Sequence, residues 1–123
     1  MVQNRNKFIG LLIGNISNAI VHEILEKAVS SKPEISIKYE KEIRNSFEIA
    51  KIYRSKINPV NKSLPEKDVQ DIKNRIKRIV TNELKLRISK GYKGISLDLI
   101  DITIDKKLKE LKLEIKCLWN KGI

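Results

Sequence analysis

The 123-residue sequence has very little cysteine and histidine, with one residue of each, Cys117 and His22. A single cysteine excludes an internal disulfide bond and any zinc cluster built from several cysteines. A single histidine leaves no second imidazole to share a metal ion, so we expect His22 to be an ordinary, partly exposed helix residue. Because chains without disulfide bonds are typical of reducing compartments, the sequence predicts a cytoplasmic location.

Proline and glycine are also scarce, at three and five residues, and the chain between them has apolar residues at helical spacing. Pro33 suits the first turn of a helix, Ser63 and Glu66 have the spacing of a capping box, and Gly91 suits a helix end. The sequence therefore predicts one domain over residues 1–123, with a helical region over about 4–90. Its three long helices are predicted at residues 4–29, from 33 to about 57, and from the capping box to Gly91.

No hydrophobic run is long enough to suggest a membrane span, because polar residues interrupt the apolar run 8–20 at Asn15, Ser17 and Asn18. Gly10 and Gly14 in the same run are spaced as in pairs of closely packed helices. We therefore expect no membrane contact and a close approach of a neighbouring helix at these glycines. The first two helices also have wide apolar faces, which favour a homo-oligomer.

Acidic residues are few relative to basic ones, 15 against 26, which gives a net charge of +11. The imbalance is local, because residues 51–93 contain thirteen of the basic residues and only four of the acidic ones. A surface that follows phosphate groups needs such a concentration of positive charge. The sequence therefore predicts a nucleic-acid partner, with these candidate binding residues: Lys73, Arg75, Lys77, Arg78 and Lys85.

The C-terminal stretch has apolar residues at every second position in 100–104 and again in 111–117, which is the period of a half-buried strand. Two such runs in succession predict a β-hairpin over about 97–119. The register that puts the apolar residues on one face places Asp101 opposite Glu114 on the other face. Lys116 projects from that same face, because side chains alternate along a strand.

An Asp on one strand and Glu-x-Lys on the next resemble the metal site of the PD-(D/E)xK nuclease superfamily, here Asp101 and Glu114-Ile115-Lys116. The resemblance implies a Mg²⁺-dependent nuclease in which Asp101 and Glu114 hold the metal and Lys116 assists catalysis. It would place a supporting acid at Glu83. The superfamily core continues after Glu-x-Lys, so the resemblance implies a truncated or degenerate copy in which binding outlasts catalysis.

The same C-terminal stretch also fits a helix, because residues 97, 100, 104, 108, 111, 115 and 118 would form one apolar stripe. The expected fold is α+β, with three long helices followed by the hairpin. The alternative is an all-α four-helix bundle, in which Asp101 and Glu114 are unrelated. The alternative function is that of a structural or assembly helical protein without enzymatic activity, in which Asp101 and Glu114 of the hairpin would be ordinary surface charges.

Overall fold

The structure, a computed structural model, describes residues 2–29, 31–57, 64–111 and 113. Four helices lie in these ranges: α1 (Val2–Ala28), α2 (Pro33–Ile57), α3 (Glu66–Ser89) and α4 (Leu99–Glu110). None of the described residues lies in a strand. The predicted α+β class is therefore wrong, and the all-α alternative with four helices is confirmed.

Helix α1 lies at the centre of the fold, because each of the other three helices packs against it. Its apolar side chains point in nearly every direction around the helix axis, which is the pattern of a helix covered on several sides. The fully or almost fully buried apolar residues of α1 are Ile9, Leu12, Ile13, Ile16, Ala19, Ile20, Val21, Ile24 and Leu25. This one helix therefore supplies the largest part of the core.

Residues Arg5–Ala28 of α1 also have the length and composition of a membrane-spanning helix. In this fold, 56% of that apolar window is buried against the other helices. The core helix of a soluble protein meets the same criteria of length and composition. The expectation that the chain makes no membrane contact therefore stays a prediction.

The predicted boundaries of the long helices are confirmed at Pro33, where α2 begins, and at Gly91, just beyond the end of α3. Gly91 has a φ of +101°, which glycine adopts without steric cost. Its N–H donates to the carbonyl of Ile88 at 3.0 Å, and the N–H of Tyr92 donates to the carbonyl of Arg87 at 3.1 Å. These two bonds form a Schellman motif. Ser63, the predicted cap of α3, lies outside the described residues.

The predicted hairpin over 97–119 is wrong, because its first half forms the helix α4. Ile100, Ile104 and Leu108 lie on one face of α4 and are buried, whereas Ile102 is 68% exposed. Burial of one helical face thus outweighs the β-propensity of the Ile-Asp-Ile-Thr-Ile run, which amounts to at most about 1 kcal/mol per residue. The second half of the predicted hairpin lies outside the described residues, except for Leu111 and Leu113.

The C-terminal end of α4 is joined to α2 by the buried side chain of Arg54, which is 1% exposed. Its Nε donates a hydrogen bond to the carbonyl oxygen of Leu111 at 2.9 Å. Burial lowers the pKa of Arg54, but a guanidinium stays charged in proteins. A positive charge at a helix C-terminus is favourable because the last carbonyl groups carry partial negative charge. Arg54 therefore connects two helices and caps one of them.

A second polar contact joins α4 to α1, where Lys107 Nζ lies 3.0 Å from Glu23 Oε1. Both side chains are largely buried, at 8% and 12% exposure. Lys106 Nζ approaches the other oxygen of Glu23 at 3.4 Å. The ammonium of Lys107 also lies 5.0 Å from the ring centre of Phe47 on α2. Lys107 therefore contacts α1 and α2 at once.

The pKa of Glu23 shows how strongly this contact favours the charged carboxylate. Burial raises the pKa of Glu23, but the hydrogen bonds and positive charges of Lys107 and Lys106 together outweigh burial, so that the net pKa lies below its ordinary value of 4.5. A group with a lowered pKa in the folded state stabilises that state when it is ionised. The contact therefore contributes to stability at neutral pH and stops doing so in acid.

We expect Arg54→Ala to lower the free energy of unfolding by at least about 2 kcal/mol, because it removes a charged hydrogen-bond donor and leaves a cavity. Arg44→Ala is the matched control, since Arg44 is an exposed arginine on the same helix. Urea unfolding followed by circular dichroism measures both. Equal losses of stability in the two variants would contradict the structural role of Arg54.

We expect Glu23→Gln to lower the free energy of unfolding at neutral pH by about 1–3 kcal/mol, because Lys107 keeps its charge without a carboxylate partner. The difference from wild type should persist above pH 4.5 and disappear as the pH falls through the lower, folded-state pKa of Glu23. Thermal unfolding over a pH series measures it. The control is Glu48→Gln, since Glu48 forms an exposed pair with Lys51. A pH-independent loss in Glu23→Gln would show that the carboxylate charge is not responsible.

Candidate docking groove

The residues of the predicted nuclease site are not assembled by the part of the chain that the structure describes. Asp101 lies in the first turn of α4 with its side chain 60% exposed, and its Oδ1 is 3.1 Å from Lys77 Nζ. Glu114 and Lys116 lie outside the described residues. The register that puts Glu114 opposite Asp101 requires a strand at Asp101, but Asp101 lies in the helix α4. The predicted pairing of the two carboxylates across a hairpin is therefore wrong.

Glu83, the predicted supporting acid, has a different partner from Asp101. Its Oε2 accepts a hydrogen bond from Arg87 Nε at 2.9 Å, one turn further along α3. Among the described residues, no three His, Cys, Asp or Glu side chains are close enough together to hold a metal ion. Mg²⁺ ligation by Asp101 and Glu114 stays a prediction, since Glu114 lies outside the described residues.

The five predicted nucleic-acid-binding residues all lie on α3, but three of them are in ion pairs. Lys73 Nζ lies 2.9 Å from Asp105 on α4, and Lys77 pairs with Asp101 as described above. Arg75 lies 3.7 Å from Asp71 on its own helix. Arg78 and Lys85 are exposed and form no ion pair with any described residue. The flank of α3 that faces α4 is therefore largely neutralised, whereas the outer face is not.

A groove of about 340 Å³ runs between α1 and α3. Gly14, Ser17, Asn18 and Val21 of α1 form its floor, and Ile79, Glu83 and Arg87 of α3 form its wall. We call this feature the α1–α3 groove. On the side towards α2, the amide of Asn18 donates to the hydroxyl of Ser46 at 2.6 Å. Within the described residues, the groove lies over a sector of α1 around Gly14 that the other helices leave open.

Gly10 and Gly14 face this open sector. A Cβ atom added at either glycine would meet no described atom within 4 Å. The expected close packing of a neighbouring helix at these glycines is therefore not found within the described part of the chain. Gly10, Gly14 and Ser17 follow one another at helical spacing, so α1 has a stripe of small residues, of which Gly14 is exposed, Gly10 is partly exposed and Ser17 is buried.

Ser17 is the second unusual feature of the groove. The residue is only 2% exposed, and its hydroxyl has no hydrogen-bond partner among the described residues. A buried hydroxyl without a partner costs about 1–3 kcal/mol. Because Ser17 lines the groove, a molecule bound there could supply the missing partner. The spacing of the two glycines is visible in the sequence, but no sequence signal identifies Ser17 as part of a groove.

The wall of the groove carries exposed apolar side chains. Ile79 is 43% exposed, and Leu86, seven residues further along α3, is 48% exposed. Residues seven apart lie on the same face of a helix. We call Ile79 and Leu86 the α3 ridge. Ile79 lines the groove and Leu86 continues the same face of α3 beyond it, so exposed apolar side chains stand beside the small-residue floor.

Comparison with known proteins adds no relationship to these observations. No family model matches the chain, and no curated protein or solved structure matches it either.

Proposed function

We propose that the chain is a helical assembly protein without enzymatic activity, which associates with a second copy of itself through the α1–α3 groove. The observation that carries this proposal is the open space at Gly10 and Gly14, together with the neighbouring Ser17, whose buried hydroxyl has no hydrogen-bond partner among the described residues. Small residues without a neighbour let another helix come close to α1, since the distance between packed helices depends on the side chains at the contact.

An occupant of the α1–α3 groove needs three properties. It must be narrow and apolar to fit between Gly14 and Ile79, and it must offer a polar group to Ser17. An amphipathic helix meets these conditions, and docking of such a helix into a groove is a common mode of recognition. The α3 ridge of a second copy offers the apolar side chains that such an occupant needs. Asn82, which lies between the two ridge residues in the sequence, offers the polar group.

Electrostatics are compatible with self-association at this surface. Two copies with a charge of +11 each repel one another. Glu83 and Arg87 on the groove wall form a pair, so this part of α3 presents both signs of charge. A two-fold axis brings the same patch of both copies together, and a patch that carries both signs can be complementary to itself. In this arrangement the α3 ridge of each copy enters the groove of the other.

We expect wild-type protein to dimerise, and Gly14→Leu to weaken the dimer at least tenfold, which corresponds to about 1.4 kcal/mol. The added side chain fills the groove, while the monomer keeps its fold because leucine favours a helix more than glycine does. Sedimentation velocity over a range of protein concentrations measures the association. A wild-type protein that stays monomeric at high concentration would rule out the proposal.

A matched pair on α3 tests the ridge separately. Ile79→Glu should abolish the dimer, whereas Ile88→Glu should leave it intact, because the two isoleucines are almost equally exposed, at 43% and 40%, but only Ile79 lines the groove. Dimerisation should also become stronger with added salt, since salt screens the repulsion between two positively charged copies. Equal effects of the two substitutions would show that a different surface is used.

A further inference from the structure

The cations of α3 differ in their partners, and two of them, Arg75 and Arg87, pair with acidic residues of α3 itself. On the flank towards α4, Lys73 and Lys77 are paired with acidic side chains. Lys67, Arg78 and Lys85 are exposed and form no ion pair or hydrogen bond with the rest of the described chain. These exposed cations therefore have their charge available to a partner. We call these three residues the outer cation line.

The outer cation line is straight. Arg78 follows Lys67 by eleven residues, and Lys85 follows Arg78 by seven, so all three lie within roughly 20° of one another around a helix with about 3.6 residues per turn. At about 1.5 Å per residue, the line is roughly 27 Å long. Asn74 also lies on it, seven residues after Lys67, and is exposed. The face therefore presents three cations and an amide in one row.

We propose that the outer cation line binds the phosphate backbone of a nucleic acid. Each strand of a duplex has one phosphate for about every 3.4 Å of its axis, so three cations spread over this length reach separate phosphates. Neutralising each phosphate releases counterions, which is the main source of affinity in binding that does not depend on base sequence. The amide of Asn74 can donate a further hydrogen bond to a phosphate oxygen.

An anionic membrane is a poorer match for the outer cation line than a nucleic acid is. Helices that lie on membranes bury a broad apolar face next to their cations. Asn74, which lies on the outer cation line with the three cations, is polar. Ile79 lies on another side of α3, where it lines the α1–α3 groove. The line also remains exposed when the groove is filled, so the inference does not depend on the proposed dimer.

The test compares two triple variants that remove the same charge. The first is Lys67→Gln, Arg78→Gln and Lys85→Gln. The control is Lys38→Gln, Lys41→Gln and Arg44→Gln, which removes three exposed cations from α2. Fluorescence anisotropy with a labelled duplex and a labelled single strand, over a series of salt concentrations, gives the binding constant and its salt dependence. Circular dichroism confirms that both variants are folded.

Wild-type protein should bind both oligonucleotides at low salt, with an affinity that falls steeply as salt increases. The outer-line variant should lose at least tenfold in affinity, and the slope of log K against log salt for the duplex should become shallower by about 0.9 for each lost contact. The control should keep the wild-type slope. Equal losses of affinity in both variants would overturn the proposal, because binding would then depend on net charge and not on the outer cation line. Absence of wild-type binding would overturn it as well. Binding to phosphatidylserine vesicles in place of the oligonucleotides, lost only in the outer-line variant, would also overturn it.

Discussion

The fold depends on the burial of α1, because the other three helices all pack on this one apolar helix. A helix that is apolar in nearly every direction must be covered in nearly every direction. The three neighbours leave one sector of α1 open, and in that sector the sequence places Gly10 and Gly14. Because glycines have little apolar surface, the open sector exposes only a small apolar area to water in a single chain. They also leave the sector suited to close contact with another helix.

Helix α4 is positioned by polar contacts as much as by apolar ones. Twelve residues make a marginal helix in isolation, so its stability comes from what it touches. Its apolar face packs on the core, but an apolar face alone tolerates sliding and rotation. The ion pair of Lys107 with Glu23 and the bond of Arg54 to Leu111 require one position along the axis. A displaced α4 would take these partners away from the buried charges of Glu23, Lys107 and Arg54, so misplaced arrangements of α4 are penalised.

The three long helices could be predicted from the sequence because two independent signals agreed. Apolar residues recur with the helical period, and Pro33 and Gly91 mark boundaries that the backbone needs. For the fourth helix the sequence offered a helix only as the alternative to a hairpin, because Ile100, Ile102 and Ile104 fit a strand at every second position and also fit a helix with only Ile102 exposed. Leu113 falls outside the apolar stripe of any helix that continued through it. It is buried all the same, because α4 ends at Glu110 and the N–H of Leu113 bonds back to the carbonyl of Leu108 at 2.8 Å.

The candidate surfaces were harder to predict than the helices, because each depends on which neighbour a residue has. The spacing of Gly10 and Gly14 predicted a close contact but not that the contact would be left open. The basic excess of α3 was visible in the sequence, yet only the position of α4 separates paired Lys73 and Lys77 from unpaired Arg78. Composition therefore indicates that charge is concentrated, and tertiary structure decides how much of it is free.

The two proposed surfaces lie on different sides of α3 and respond to salt in opposite ways. Self-association through the groove brings like-charged chains together, so it is strengthened by screening. Phosphate binding by the outer cation line depends on counterion release, so it is weakened by the same salt. A dimer would leave both outer lines exposed and double the number of cations on one particle. Two linked sites bind a long polyanion more tightly than either does alone, provided that both can reach it. Assembly at the groove would then increase affinity at the outer face, although no residue takes part in both.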